Sequence, residues 1–369
     1  MHIVFTGGGT AGHVTPAIAM IEELLATEKD VKVSFIGSER GMERRLIEDL
    51  GYPYYAVDVE GFSSRNPLKC IRAARKAVTS VFRASTLLKD LRPDAVVGTG
   101  GYASWPALRA AGRMGIPTLV HESNAIPGKT VRRLEKHLTH ILLNMPDAVF
   151  RLSHPEKAIF TGNPIRTDFR VTKAEARERL DIPKEAFCLI SFGGSRGASA
   201  INAAIRTVIS HFSSQRGDVF HVHGFGLDHG EEFEDLGDIS RQNNVILSAY
   251  LKDMPLYLRS ADLAVTRAGA MTLSELAAAE CPAILIPSPH GAEDHQTKNA
   301  LFYVKRNAAR MLREDEADTQ LLPTVEALYR DPAERKRMQS AMRSTATPNA
   351  AKKAVEIILK TAKSKQKSH

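Results

Sequence analysis

The sequence predicts an α/β protein built from two Rossmann-like, doubly wound parallel-sheet domains in tandem, separated by a cleft. Three observations carry this. Short β-branched runs alternate with long amphipathic stretches. The alternation restarts at "CLISFGGS" (Cys188–Ser195) after a charged, proline-bearing stretch without β pattern. Each half also opens on a strand that runs into a glycine cluster, "FTGGGTAG" and "SFGGSRGA".

In the first half, strands are expected at His2–Thr6, Val31–Ile36, Ala95–Val97, Thr118–His121, Ile141–Asn144 and Lys157–Thr161. Helices are expected over Pro16–Thr27, Gly41–Leu50, Leu68–Leu91 and Trp105–Arg113. In the second half, strands follow near Phe220–His223, Asn244–Leu247, Leu263–Thr266 and Ala283–Pro287. The boundary falls within residues 165–180, giving domains over 1–165 and 166–345 and a C-terminal segment over 346–369. Ligands of such sheets bind beyond the carboxyl ends of the strands, where the unusual residues of this chain gather.

Bulk properties narrow the classes. The 369 residues suit two domains of ordinary size, and 43% hydrophobic with 25% charged residues is a globular composition. No secretory signal and no apolar run near the ~18–20 residues of a membrane span is expected. Cys70, Cys188 and Cys281 lack metal spacing, which points to a reducing compartment without a disulfide framework. The net charge of +8 admits a nucleic acid, an anionic membrane or a phosphorylated substrate. Without a recognition motif it argues for no nucleic-acid partner.

The glycine loops carry the chemistry. Gly7, Gly9 and Gly12 spell the G-x-G-x-x-G of dinucleotide sites. Such a site needs an acid about 20 residues on, at the end of the second strand. Here that strand ends in Gly37 and Ser38, which argues against NAD. His13 follows the last glycine. It is either a loop histidine bonded to backbone or a general base over a cleft. "VVGTGGYASWPA" repeats the device with Gly98, Gly100, Gly101 and Tyr102. "VHESNAIPGKT" places Asn124 for hydroxyl recognition and Glu122 for a structural or charge role, against plain turn formation.

In the second half, Gly193, Gly194, Ser195 and Gly197 before a helix form an anion nest without the G-K-[ST] of a P-loop. "VTRAGAMTLSELAAAE" sets Gly269 and Ala270 before a helix that carries Glu275. Thr272 and Glu275 also fit a capping box, the plain alternative to a ribose contact. His290, Glu293, Asp294 and His295 match no standard metal spacing, so no metal is expected.

Together "GGGTAGHVTPA", "GTGGYAS", "HESNAIPG", "TGNPIR", "GGSRGASAIN", "AYLKDM", "RAGAMTLSE" and "DHQTKNA" resemble the MurG family of bacterial transferases, within glycosyltransferase family 28. Those enzymes add N-acetylglucosamine to the undecaprenyl-diphosphate-linked muramyl-pentapeptide (lipid I), giving lipid II for peptidoglycan. The resemblance implies a GT-B fold, no cofactor or metal, a C-terminal helix returning to the first domain, and work at the cytoplasmic face of the membrane. It implies donor contacts to UDP-GlcNAc from Thr10, Gly12, Asn124, Arg166, Gly194, Ser195, Leu251, Ala270, Met271, Thr272, Glu275 and Gln296. It implies acceptor contacts from Gly9, Gly12, Gly100, Gly101 and Tyr102, with His13 as candidate base and Glu122 as a lesser catalytic candidate. Other cell-wall enzymes are possible partners. Ala11, Thr15 and Ser123 depart from the family pattern and bear on the form of the acceptor.

The stretch "NPLKCIRAARKAVTSVFRASTLLKDLR" mixes Leu68, Ile71, Val78, Val81, Phe82 and Leu87 with Lys69, Arg72, Arg75, Lys76 and Arg83. Such a helix suits an anionic membrane surface, at roughly 1 kcal/mol per cation close to it, or simply covers the sheet. Three readings stand beside the transferase: a related GT-B enzyme with another lipid or natural-product acceptor, a nucleotide-sugar binder without turnover, and an NAD-dependent enzyme.

Overall fold

The computed structural model describes residues 1–60, 67–165, 169, 171–215, 218–229, 233 and 244–366. The chain divides into two compact units, Met1–Arg166 with Asn349–His369, and Thr167–Pro348.

The first unit is built on a seven-stranded parallel sheet in the order β3-β2-β1-β4-β5-β6-β7. Its strands are β1 (His2–Thr6), β2 (Lys32–Ser38), β3 (Tyr54–Val57), β4 (Ala95–Gly98), β5 (Thr118–Glu122), β6 (His140–Leu143) and β7 (Ala158–Phe160). The central strands β1, β4 and β5 are buried from end to end, as expected of a parallel sheet covered on both faces. Helices α1 (Ala11–Thr27), α2 (Met42–Asp49), α3 (Pro67–Leu91), α4 (Trp105–Arg113) and α5 (Lys129–Leu134) connect them. The second unit carries a six-stranded parallel sheet in the order β10-β9-β8-β11-β12-β13. Its strands are β8 (Phe187–Phe192), β9 (Val219–Gly224), β10 (Val245–Ser248), β11 (Leu263–Thr266), β12 (Ala283–Leu285) and β13 (Ala309–Met311). Its helices are α6 (Lys173–Arg179), α7 (Ser199–Gln215), α8 (Met254–Ser260), α9 (Ala270–Ala279), α10 (His295–Val304), α11 (Ala317–Arg330) and α12 (Pro332–Ser344).

The final helix, α13 (Ala350–Gln366), belongs to the first unit. Ala354, Val355, Ile358 and Ala362 are fully or almost fully buried in one core with Ile3, Phe5, Met20 and Ile21. Their spacing puts one apolar stripe of α13 against α1 and β4. Lys363 closes the contact with an ion pair to Glu28 at 3.0 Å.

Three details differ from the sequence reading. Edge strands β3 and β13 are additional; each is short and partly exposed, so neither shows a buried run. Helix α1 begins at Ala11, five residues before Pro16, because that proline lies inside the helix. Thr172 and Glu175 do close a capping box on α6, whereas Thr272 and Glu275 do not cap α9. Gly269 is the N-cap of α9, so Thr272 and Glu275 both lie within the helix.

In each sheet the strand order reverses between two neighbours, β1 and β4 in the first and β8 and β11 in the second. Of these strands β1, β4 and β8 end in the glycine-rich loops of the sequence and β11 in the Arg267–Gly269 turn, at the position where open α/β sheets take ligands.

Candidate functional site

In the first unit the β1–α1 loop and the loop after β4 press together. Gly8 and Gly9 have φ of +149° and +90°, and Gly100 and Gly101 have +96° and +74°. A Cβ on Gly101 would lie 2.0 Å from the carbonyl oxygen of Gly8. Gly101→Ala therefore combines a left-handed strain of about 1–3 kcal/mol with a backbone clash. It is expected to lower the thermal midpoint by several degrees in a melting curve.

His13 sits in the first turn of α1. Its Nδ1 is 2.9 Å from Thr10 Oγ1, and its carbonyl accepts from Thr99 Oγ1 at 2.5 Å. Gly100 and Gly101 back the ring: a Cβ on Gly100 would meet Cδ2 at 2.9 Å and Nε2 at 3.4 Å. Thr10 thus sets the ring's rotation, and bare backbone gives it room. Gly12 is half-buried in the same turn, and Tyr102 packs its ring on Gly9. The Gly9 amide donates to Glu43, so a ligand at Gly9 would meet its Cα and carbonyl.

Glu122, at the end of β5, is 5% exposed. Its carboxylate accepts from the amides of Asn124 (2.9 Å) and Gly128 (2.7 Å) and from Asn124 Nδ2 (3.1 Å). Burial pushes its pKa above the usual carboxylate range, and these donors oppose the rise. The group braces the loop that carries Asn124. Ser123 is buried, with its hydroxyl 3.4 Å from both His121 Nδ1 and Asn163 Oδ1. This departure from the family pattern is therefore an interior one. Burial lowers the His121 pKa to about 4, so its ring is neutral near pH 7.

In the second unit the β8–α7 loop exposes Gly194 and Ser195, with open space where a Cβ on Gly194 would stand. The turn is closed by the Gly197 amide donating to Gly194 O at 3.0 Å. Beside it in the sheet, β11 leads into α9, which has no side-chain cap and no acid in its first turn. Ala270, Met271 and Thr272 form that turn, at the positive end of a ten-residue helix. Gln296, from α10, accepts at Oε1 from the amides of Ala268 (3.3 Å) and Ser288 (2.9 Å). That fixes its side chain across the two loops following β11 and β12.

Glu275 lies one turn further along α9, half-buried, with its pKa pushed up to about 7 by desolvation. Leu251 is 5% exposed and packs on Gly224, while Tyr250 is half exposed. Arg166 lies outside the described residues. His295 Nε2 and Glu293 Oε2 approach to 3.5 Å. Among the described residues no group of three or more His, Cys, Asp or Glu is placed to hold a metal ion.

Glu43 and Thr99 escaped the sequence reading. The signal for Thr99 was its place before a glycine pair, and Glu43 had none beyond the first turn of α2.

Residues 3–143 match the glycosyltransferase family 28 N-terminal domain, and residues 188–356 match the C-terminal domain of the same family. The chain is 35% identical over 368 residues to a UDP-N-acetylglucosamine–N-acetylmuramyl-(pentapeptide) pyrophosphoryl-undecaprenol N-acetylglucosamine transferase from Desulfitobacterium hafniense. That alignment covers 98% of this chain and all of the relative. A transferase of the same name from Acetivibrio thermocellus is also 35% identical, over 99% of both chains. Among solved structures, Acinetobacter baumannii MurG superposes with a TM-score of 0.79 at 28% identity, covering 97% of this chain and 99% of that one. A kitacinnamycin glycotransferase, at 18% identity and a TM-score of 0.73, shares the fold.

Proposed function

The chain belongs to glycosyltransferase family 28, and on that premise we propose that it transfers N-acetylglucosamine from UDP-N-acetylglucosamine to lipid I, forming lipid II for peptidoglycan. It is a glycosyltransferase of the GT-B type. The observation that carries the specific reaction is the full-length likeness to transferases of that name, through both halves of the chain.

The step balances within the residues at hand. The C4 hydroxyl oxygen of the acceptor's MurNAc attacks C1 of the donor sugar, and the C1–O bond to UDP breaks with inversion. The bonding pair leaves on UDP, and His13 takes the hydroxyl proton. Charge developing on the diphosphate meets the amide-rich turn at Gly194–Ser195 and the start of α9, which supply electrostatic stabilisation. Glu275 accepts from the ribose hydroxyls, Leu251 and Tyr250 frame the uracil, and Gln296 and Asn124 meet sugar hydroxyls. No metal is assigned a step.

Attachment to the membrane is peripheral in this reading, at the cytoplasmic face. No helix among the described residues is long and apolar enough to cross a membrane. The two uses expected for α3 lie on opposite faces. Val81, Ala84 and Leu88 are buried under it, while Val78 and Phe82 are 61% and 73% exposed, with Arg75 and Arg83 exposed nearby. Lys76 is paired with Asp58 (2.7 Å) and Glu60 (2.5 Å), so its charge is already partnered within the protein. Leu68, Lys69, Ile71 and Arg72 lie where side chains are not described. Phe82→Ser is expected to weaken binding to vesicles containing anionic lipid about tenfold, from the apolar area lost. Turnover of a short-chain acceptor should be unaffected, and unchanged vesicle binding would remove the membrane role of this face.

The test of the reaction is UDP release on mixing the protein with UDP-N-acetylglucosamine and a short-chain lipid I analogue, with UDP-N-acetylgalactosamine alongside. Release only with the first donor and the acceptor together is the expected result. Donor binding without acceptor-dependent release would move the acceptor to another lipid or a natural product.

A further inference from the structure

We propose that Glu43 is a positioning residue for transfer, holding the Gly7–Thr10 loop, and through it His13, in the reactive arrangement. The inference rests on the role given to His13 above. Glu43 is the second residue of α2 and is completely buried. Its Oε1 accepts from the amide (3.0 Å) and hydroxyl (2.5 Å) of Ser38, and its Oε2 from the amide of Gly9 (3.2 Å). Among the described residues it has three hydrogen-bond donors and no cation. Burying a polar group in this way costs free energy unless hydrogen-bond donors compensate it. A glutamate needed only to start α2 would incur no such cost at the surface.

Its surroundings are shaped to admit it. A Cβ on Gly8 would lie 2.3 Å from the Glu43 carboxyl carbon, and one on Gly41 would lie 2.1 Å from Oε2. Two glycines thus make room for the carboxylate, and Gly8 lacks a side chain for this internal group. From the held loop, two routes reach the imidazole. Thr10, next after Gly9, contacts Nδ1 directly, and the Gly8 carbonyl packs on Gly101, whose neighbour Gly100 backs the ring.

The arrangement also contrasts with the dinucleotide pattern. In NAD-binding folds a carboxylate at the end of the second strand takes the ribose hydroxyls. Here β2 ends in Ser38, and the carboxylate five residues on, in the first turn of α2, turns inward to Ser38 and the Gly9 amide.

The test is steady-state kinetics of the full chain with UDP-N-acetylglucosamine and a short-chain lipid I analogue. Glu43→Gln keeps the shape but swaps one acceptor oxygen for an amide donor, leaving loop and strand competing for one oxygen. Its kcat/KM for acceptor is expected to fall about 10- to 100-fold, as small misplacements of reacting groups do, while the donor KM stays within twofold. Ser38→Ala removes one donor but leaves the Gly9 contact, so its thermal midpoint should fall while acceptor kinetics stay near wild type. Equal losses of turnover in both variants, tracking stability, would overturn the proposal. So would wild-type acceptor kinetics in Glu43→Gln. If that variant does not fold, Glu43→Asp, which withdraws the carboxylate by one methylene, carries the same test and the same reversal. Wild-type protein that releases no UDP with acceptor would overturn this proposal together with the proposed function. Normal turnover in both wild type and variant would overturn the Glu43 assignment alone.

Discussion

His13→Ala is expected to reduce kcat by about 100- to 10,000-fold, the usual contribution of a positioned general base. UDP affinity should stay within about twofold. The expectation rests on the unit each group belongs to: His13 is in the first, between Thr10 and Gly100, whereas the Gly194–Ser195 turn and α9, proposed above to meet the diphosphate, belong to the second. Thr10→Val should give a smaller loss, because it keeps the base and removes the oxygen that sets its rotation. Calorimetric titration with UDP and single-turnover rates on the same preparations check both. A His13→Ala variant with wild-type turnover would end its role as base, and one that loses UDP binding as well would place His13 in the donor site.

Glu275→Gln is the second large effect, and it runs in opposite directions for binding and stability. Hydrogen bonds to a charged acceptor contribute about 1.5–3 kcal/mol, so losing the carboxylate should weaken UDP binding about 10- to 100-fold. In the wild type the same binding should weaken as pH falls below about 7, where Glu275 takes up a proton. In the glutamine variant that pH dependence should vanish.

The stability effect follows from the raised pKa. The folded chain holds a proton on Glu275 up to about pH 7, whereas the unfolded chain releases it near 4.5. Stability from this group is therefore complete below the unfolded value and is lost as pH rises through about 7. Relative to wild type, Glu275→Gln should melt higher at pH 8 and nearly the same at pH 4, below the unfolded value. Melting curves at the two pH values check this. A variant that melts lower at pH 8 would mean that the ionised carboxylate has stabilising partners.

The contrast between two similar tetrads shows where local reading stops. T-x-x-E occurs at Thr172–Glu175 and at Thr272–Glu275, and only the first is a capping box. The second lies inside α9 because the helix follows directly on the Gly269 turn after β11, three residues earlier than the tetrad would start it. Ser123 is a similar case. As a change within a loop motif it bears on ligand contacts, yet in the fold its side chain lies between His121 and Asn163. The partner that buries it is 40 residues away.

Strand and helix alternation, the glycine loops after β1, β4 and β8, the restart at Cys188 and the family itself were all legible in the chain. Each is a local pattern: periodicity reports burial, and glycine reports a turn or a close approach. Tertiary structure alone revealed that Glu43 ties down the Gly9 amide and that Thr99 holds the backbone of His13, and it gave the residues by which α13, expected from the resemblance to return to the first domain, completes the core of that unit. These pairings join residues 34, 86 and more than 300 positions apart. They depend on which strand lies beside which, and that order follows from packing the whole sheet rather than from any segment read alone.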